Sequence, residues 1–81
     1  MNGYRVQLLA RYAELLGAEE LAVDLPTPAT VSMLTDALRA LPGGSALPAQ
    51  PVLARNLRIA APGDLIEPGD ALALLPPLAG G

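Results

Sequence analysis

The chain has 81 residues, a length that sets a single domain with a modest core. Hydrophobic residues make up 52% of it, so it is not a disordered chain, yet it has no Phe or Trp and only Tyr4 and Tyr12 are aromatic. There is no Cys and no His, which removes disulfides and thiol catalysis and argues against transition-metal sites of the usual kind.

The net charge is −3, and the basic residues are scattered arginines: Arg5, Arg11, Arg39, Arg55 and Arg58. A nucleic-acid surface would need them clustered on one face. Lysine is absent, so no side-chain amine is available for modification. No segment approaches the roughly 20 apolar residues of a membrane span, and the first residues are not those of a signal peptide. A cytoplasmic location is the default expectation.

Tyr4 to Leu9 alternates as a half-buried strand, with Tyr4, Val6 and Leu8 inward. Leu9 breaks the pattern by placing an apolar residue on the polar face. A short helix is predicted over Arg11 to Leu16, with Tyr12, Leu15 and Leu16 inward and Gly17 as its C-terminal cap. A second strand follows from Glu20 to Leu25, with Leu21, Val23 and Leu25 inward.

Thr30 suits the N-cap of a main helix over Val31 to Leu41. Val31, Leu34, Leu38 and Leu41 fall on its apolar stripe, and Met33 reads as filler at the stripe's edge. Pro42-Gly43-Gly44 stops the helix, and the stretch to Pro51 reads as a surface connection without chemistry. Val52 to Ile59 is the next β region, folding back at about Asn56-Leu57, since Asn tolerates left-handed turn geometry. Two turns of related sequence come next, Pro62-Gly63-Asp64 and Pro68-Gly69-Asp70, with Leu65 and Ile66 plugging the core between them. Asp64 and Asp70 could be taken for a paired-carboxylate site. Ordinary turn chemistry is the better reading, because no His, Lys or Cys completes such a site.

The last strand is predicted over Ala71 to Leu75, with Leu72 and Leu74 inward and Leu75 outward. The order is then β-α-β-α-β-β-β, a small mixed sheet covered on one face by the main helix. Leu9 and Leu75 both sit on the other face. If the first and last strands are neighbours, they form one apolar patch. Pro76-Pro77 cannot continue a sheet ladder and favours an extended exit. The domain proper is therefore 1–77, and 78–81 is a flexible arm reaching roughly 13 Å when extended. Its tip, Gly80-Gly81, is thin enough to enter a narrow channel in another protein and present a carboxylate there.

The run from Pro68-Gly69-Asp70 through Leu74-Leu75-Pro76-Pro77-Leu78-Ala79-Gly80-Gly81 resembles the ending of the small, sulfur-carrying subunit of molybdopterin synthase (MoaD-like). That family belongs to the ubiquitin-like β-grasp group. Leu8-Leu9-Ala10, Glu14-Leu15-Leu16-Gly17, Thr30-Val31 and Asn56 support the resemblance, which extends over the whole chain. Ala71, Arg55 and Leu75 depart from it, where the family usually has an acidic, an apolar and often an aromatic residue. None of these removes a group that the family's chemistry needs.

The resemblance implies an α+β, ubiquitin-like β-grasp fold and a role in molybdenum cofactor biosynthesis. Gly81 would be adenylated by an ATP-dependent enzyme similar to ubiquitin-activating enzymes. A persulfide donor, such as a cysteine desulfurase or rhodanese-like protein, would convert it to a thiocarboxylate. Leu78, Ala79 and Gly80 would enter the large synthase subunit in a heterotetramer, where sulfur passes to cyclic pyranopterin monophosphate. Leu9, Ile59 and Leu75 would contact the partner. The chain would bind no cofactor tightly and supply no catalytic side chain, the ATP being used by the activating enzyme. Three other readings stand: a thiamin-thiazole sulfur carrier, which Pro76-Pro77 counts against; a ubiquitin-like modifier or docking module; and a plain β-grasp domain with an idle tail.

Overall fold

The computed structural model describes residues 2–76. Its main sheet has five strands: β1 (Asn2–Leu8), β2 (Glu20–Leu25), β4 (Val52–Arg55), β5 (Arg58–Ala60) and β7 (Leu72–Leu75). A two-residue strand, β3 (Ala29–Thr30), pairs with β6 (Leu65–Ile66) outside that sheet. The spatial order is β2-β1-β7-β4-β5, with β1 and β7 parallel and the other neighbours antiparallel. The first and last strands are therefore neighbours at the centre. Helix α1 (Arg11–Leu16) links β1 to β2, and α2 (Val31–Arg39) packs on the sheet.

One face of the sheet carries the core. Tyr4, Val6 and Leu8 of β1, Leu72 and Leu74 of β7, and Leu53 of β4 are buried there, under Val31, Leu34 and Leu38 of α2. Leu8, Leu74 and Leu53 stand in one row across three strands. Burying each such leucine contributes roughly 1.5–3 kcal/mol.

The entry to α2 is held from two directions. The Met33 N–H donates to the Thr30 hydroxyl oxygen at 3.2 Å, as the N-cap reading requires. The Val31 and Ser32 N–H groups, which have no partner inside the helix, donate to the carbonyls of Asp64 and Pro62 at 3.0 and 2.9 Å. The Pro62-Gly63-Asp64 turn thus completes the cap from a distant part of the chain. Gly17 ends α1 in the left-handed conformation, φ 76°, as expected.

Four local readings are corrected. Helix α2 stops at Arg39 rather than Leu41, and Leu41 is exposed. Leu41 precedes Pro42, whose ring disfavours helical geometry in the residue before it. The 42–51 connection is not merely a surface link: it forms a 3₁₀ turn at Gly44–Ala46 and buries Leu47 in the core. Its two glycines lie against helix backbone. A Cβ on Gly43 would stand 2.1 Å from the Leu15 carbonyl oxygen, and one on Gly44 would stand 2.1 Å from that of Leu38. Of the pair meant to plug the core, Ile66 is buried and Leu65 is exposed, because β6 pairs with β3 and alternates its side chains. The last strand begins at Leu72, since Ala71 bonds to the β4–β5 hairpin turn instead.

Candidate partner-binding face and tail exit

No described helix packs on the second face of the sheet, and the registers show what lies on it. Gln7, Ala73, Ala54 and Ile59 form one row across β1, β7, β4 and β5. Val52 stands opposite Leu75 in the next row, and Leu9 directly follows Leu8, the β1 residue paired with Leu74. Leu9, Leu75 and Ile59, the three contact residues expected from the sequence, therefore share one face. Val52, Ala54 and Ala73 join them. Alternation around Leu53 is the sequence signal that places Val52 and Ala54 outward, and alternation of Leu72 and Leu74 does the same for Ala73; which of them adjoin Leu75 depends on the strand order, which periodicity does not carry. Ile59 is 67% exposed, Val52 42% and Leu9 40%, so the patch is apolar and open to solvent. An exposed ion pair, Arg5 to Glu20 at 3.5 Å, flanks it on the β1–β2 side.

The patch ends where β7 ends. Pro76 is the last described residue, and Leu75 before it pairs with Val52. The arm positions Leu78, Ala79, Gly80 and Gly81 lie outside the described residues. β7 is central and parallel to β1, so the chain leaves the sheet at its middle, next to Leu9 rather than at an outer edge.

The opposite end of β7 is clamped. The Asp70 carboxylate accepts from Arg55 Nε at 2.5 Å, from Asn56 Nδ2 at 3.1 Å and from the Glu67 N–H at 2.8 Å. The Asn56 side-chain oxygen accepts from the Ala71 N–H, and the Asn56 N–H donates to the Ala71 carbonyl. The Arg55 guanidinium holds the Asp70 carboxyl below the usual carboxylate value, opposed by desolvation and helped by the Glu67 N–H and Asn56. Asp64 accepts from the Ala61 N–H in the companion turn. Both aspartates thus do turn work, and Asp70 also fixes where β7 starts. The partnership of Arg55 with Asp70 was not legible beforehand: Arg55 drew notice only as a departure from an apolar position. A basic residue paired on one strand with an acidic turn residue leaves no mark on periodicity.

The described acidic residues form no group of three or more able to hold a metal ion, and no described helix is long and apolar enough to cross a membrane. What the site offers is an exposed apolar face beside the strand that leads to the chain's last residues. A mixed five-stranded sheet wrapped on one main helix, with β1 and β7 parallel at its centre, is the ubiquitin-like β-grasp fold. The chain belongs to the ThiS family, whose model matches residues 6–81.

Solved structures agree in fold. SAMP1 from Haloferax volcanii matches with a TM-score of 0.83 and 34% identity, over 99% of this chain and 100% of that one. A second structure of this small archaeal modifier protein 1 matches at 31% identity, over 96% of this chain and 100% of the other. A putative molybdopterin converting factor, subunit 1, from Pyrococcus furiosus has a TM-score of 0.81 over 96% of this chain and 100% of its own. At 22% identity that likeness speaks for the fold alone. No curated protein sequence matches the chain. The expected ubiquitin-like β-grasp fold thus holds, and the family shown is ThiS.

Proposed function

We propose that this protein is a cytoplasmic sulfur carrier for molybdopterin synthesis, acting as the small subunit of molybdopterin synthase. One observation carries the reading: the apolar patch of Leu9, Val52, Leu75 and Ile59 ends where β7 hands the chain to Pro76-Pro77 and the Gly-Gly pair. A partner that covers the patch receives the tail in the same act.

The chemistry follows from a terminal carboxylate that is a poor electrophile. An adenylating enzyme joins the Gly81 carboxylate to the AMP portion of ATP and releases pyrophosphate. A persulfide sulfur then attacks the acyl carbon and AMP leaves with the electron pair of the broken C–O bond, giving an acyl disulfide. A thiol attacks the donor-side sulfur of that S–S bond, forming a disulfide with the donor and releasing the thiocarboxylate. The large synthase subunit takes Leu78, Ala79, Gly80 and Gly81 into its active site, and the sulfur passes to cyclic pyranopterin monophosphate. This chain provides position and sulfur, and ATP is consumed on the activating enzyme.

The 34% identity to small archaeal modifier protein 1 favours a second reading, attachment of Gly81 to amines of other proteins. Both readings share the adenylation step. The test begins with the thiocarboxylated chain, the large subunit and the pterin precursor. Sulfur leaving the chain and entering the pterin supports the carrier. Persistent thiocarboxylate there, with Gly-Gly adducts on target lysines in cells, supports the modifier.

A further inference from the structure

The β4–β5 hairpin turns on only two residues, Asn56 and Leu57, between the paired Arg55 and Arg58. Both have positive φ, 52° and 72°, as a two-residue turn of this hand requires. Asn tolerates that geometry, and Gly is the unstrained choice at the second position. A leucine there presses its Cβ against the neighbouring carbonyl.

A lone exposed leucine is ordinary. Leu57 differs in three respects. It occupies a left-handed position at a steric cost. It is 97% exposed, more than any other large hydrophobic residue described. It also stands on a rigid mount, because Asn56 makes two bonds to Ala71 and Arg55 is bonded to Asp70. An apolar group held this way loses little freedom on being covered. With Ala54, Ala73, Arg5 and Gln7 it borders a hollow of about 370 Å³ on the open face of the sheet. Leu57 therefore extends the apolar face to the end away from the tail. Along β4, the step from Val52, opposite Leu75, to Arg55, opposite Leu72, is three residues, roughly 10 Å.

Gly-Gly carries no side chain, so a tail of this kind looks the same on every chain that bears it. Discrimination among such chains must be read from the body of the domain. It matters most at the adenylation step, which consumes ATP before any sulfur moves. We propose that Leu57 is a specificity-determining residue, the point at which the adenylating enzyme recognises this carrier while it holds the tail. This rests on the carrier reading above. The enzyme spans the open face from Leu75 to the hairpin and receives Leu57 in an apolar recess.

The test is ATP–pyrophosphate exchange by an adenylating enzyme that thiocarboxylates the wild-type chain, together with thermal melting. Leu57→Asn and Leu57→Gly relieve the backbone, so both fold and melt at or above the wild-type temperature. Both raise KM for the carrier roughly tenfold or more, with kcat unchanged, as loss of one buried leucine contact requires. Leu57→Met keeps an apolar side chain and restores KM. Unchanged KM in the Asn and Gly variants, or a fall in kcat alone, overturns the proposal. A wild-type chain that no adenylating enzyme thiocarboxylates overturns the carrier reading and this proposal with it. A thiocarboxylated wild type with indistinguishable variants overturns this proposal only.

Discussion

Leu74 and Leu75 are adjacent in sequence and face opposite sides of the sheet, so they separate stability from docking. Leu74 is fully buried between Leu8 and Leu53, while Leu75 is only partly buried beside Val52. Leu74→Ala removes buried methyl groups from the central row, and the two flanking strands, β1 and β4, leave little room for collapse. The expected loss is about 3 kcal/mol, within the usual 2–5 for such a change. The whole domain has on the order of 4–12 kcal/mol by its length. At roughly 4–8 °C per kcal/mol for a domain this size, the midpoint falls by about 12–24 °C. Leu75→Ala costs about 1 kcal/mol or less, because half-solvated atoms are removed without a cavity. Urea unfolding at 25 °C measures both. The same Leu75→Ala protein is then assayed for binding to the large subunit, where a clear loss is expected from a folded variant. Equal destabilisation by the two substitutions refutes the assignment of faces. Undiminished binding of Leu75→Ala refutes the docking role of the open one.

Asp70 gives a pH dependence with a definite sign. Its carboxyl is held below the ordinary 3.8 by Arg55, so its contribution is complete above that value and is lost as pH falls through the folded-state value. Urea midpoints taken from pH 6 downward should drop below about pH 4 in the wild type and drop less in Asp70→Asn, which lacks the contribution throughout. Identical slopes in the two proteins contradict the assignment. Gly44→Ala should destabilise by about 2 kcal/mol or more, since its Cβ meets the Leu38 carbonyl at 2.1 Å and one helix or the loop must move. A Gly44→Ala protein that melts at the wild-type temperature contradicts that packing.

Most of the fold was legible because its signals are local. The alternation of Tyr4, Val6 and Leu8, the Thr30 cap and the Gly17 stop each act within a few residues, and each appears where the sequence placed it. The paired strands β3 and β6 are two residues long, too short to show any period. Leu47 hid in a Pro-, Gly- and Ala-rich stretch, where one buried residue breaks no pattern. The open apolar face was half legible: Leu9 and Leu75 betrayed it as apolar residues out of phase. Alternation about Leu53 and Leu74 turns Val52, Ala54 and Ala73 outward, but only the pairing of β4 with β7 brings them beside Leu75 on one face. The Asp70 clamp spans fifteen residues of chain to Arg55, and nothing in either neighbourhood names the other.

The central claim is that Gly81 accepts sulfur. Intact mass spectrometry tests it after incubation with an adenylating enzyme, ATP and a persulfide donor, the enzyme being active on a known carrier. The wild-type chain should gain the mass that replaces one oxygen by sulfur, mapped to Gly81. A chain extended by one residue beyond Gly81 should stay folded and gain nothing. An unchanged wild type, or an extended chain that still takes sulfur, contradicts the account.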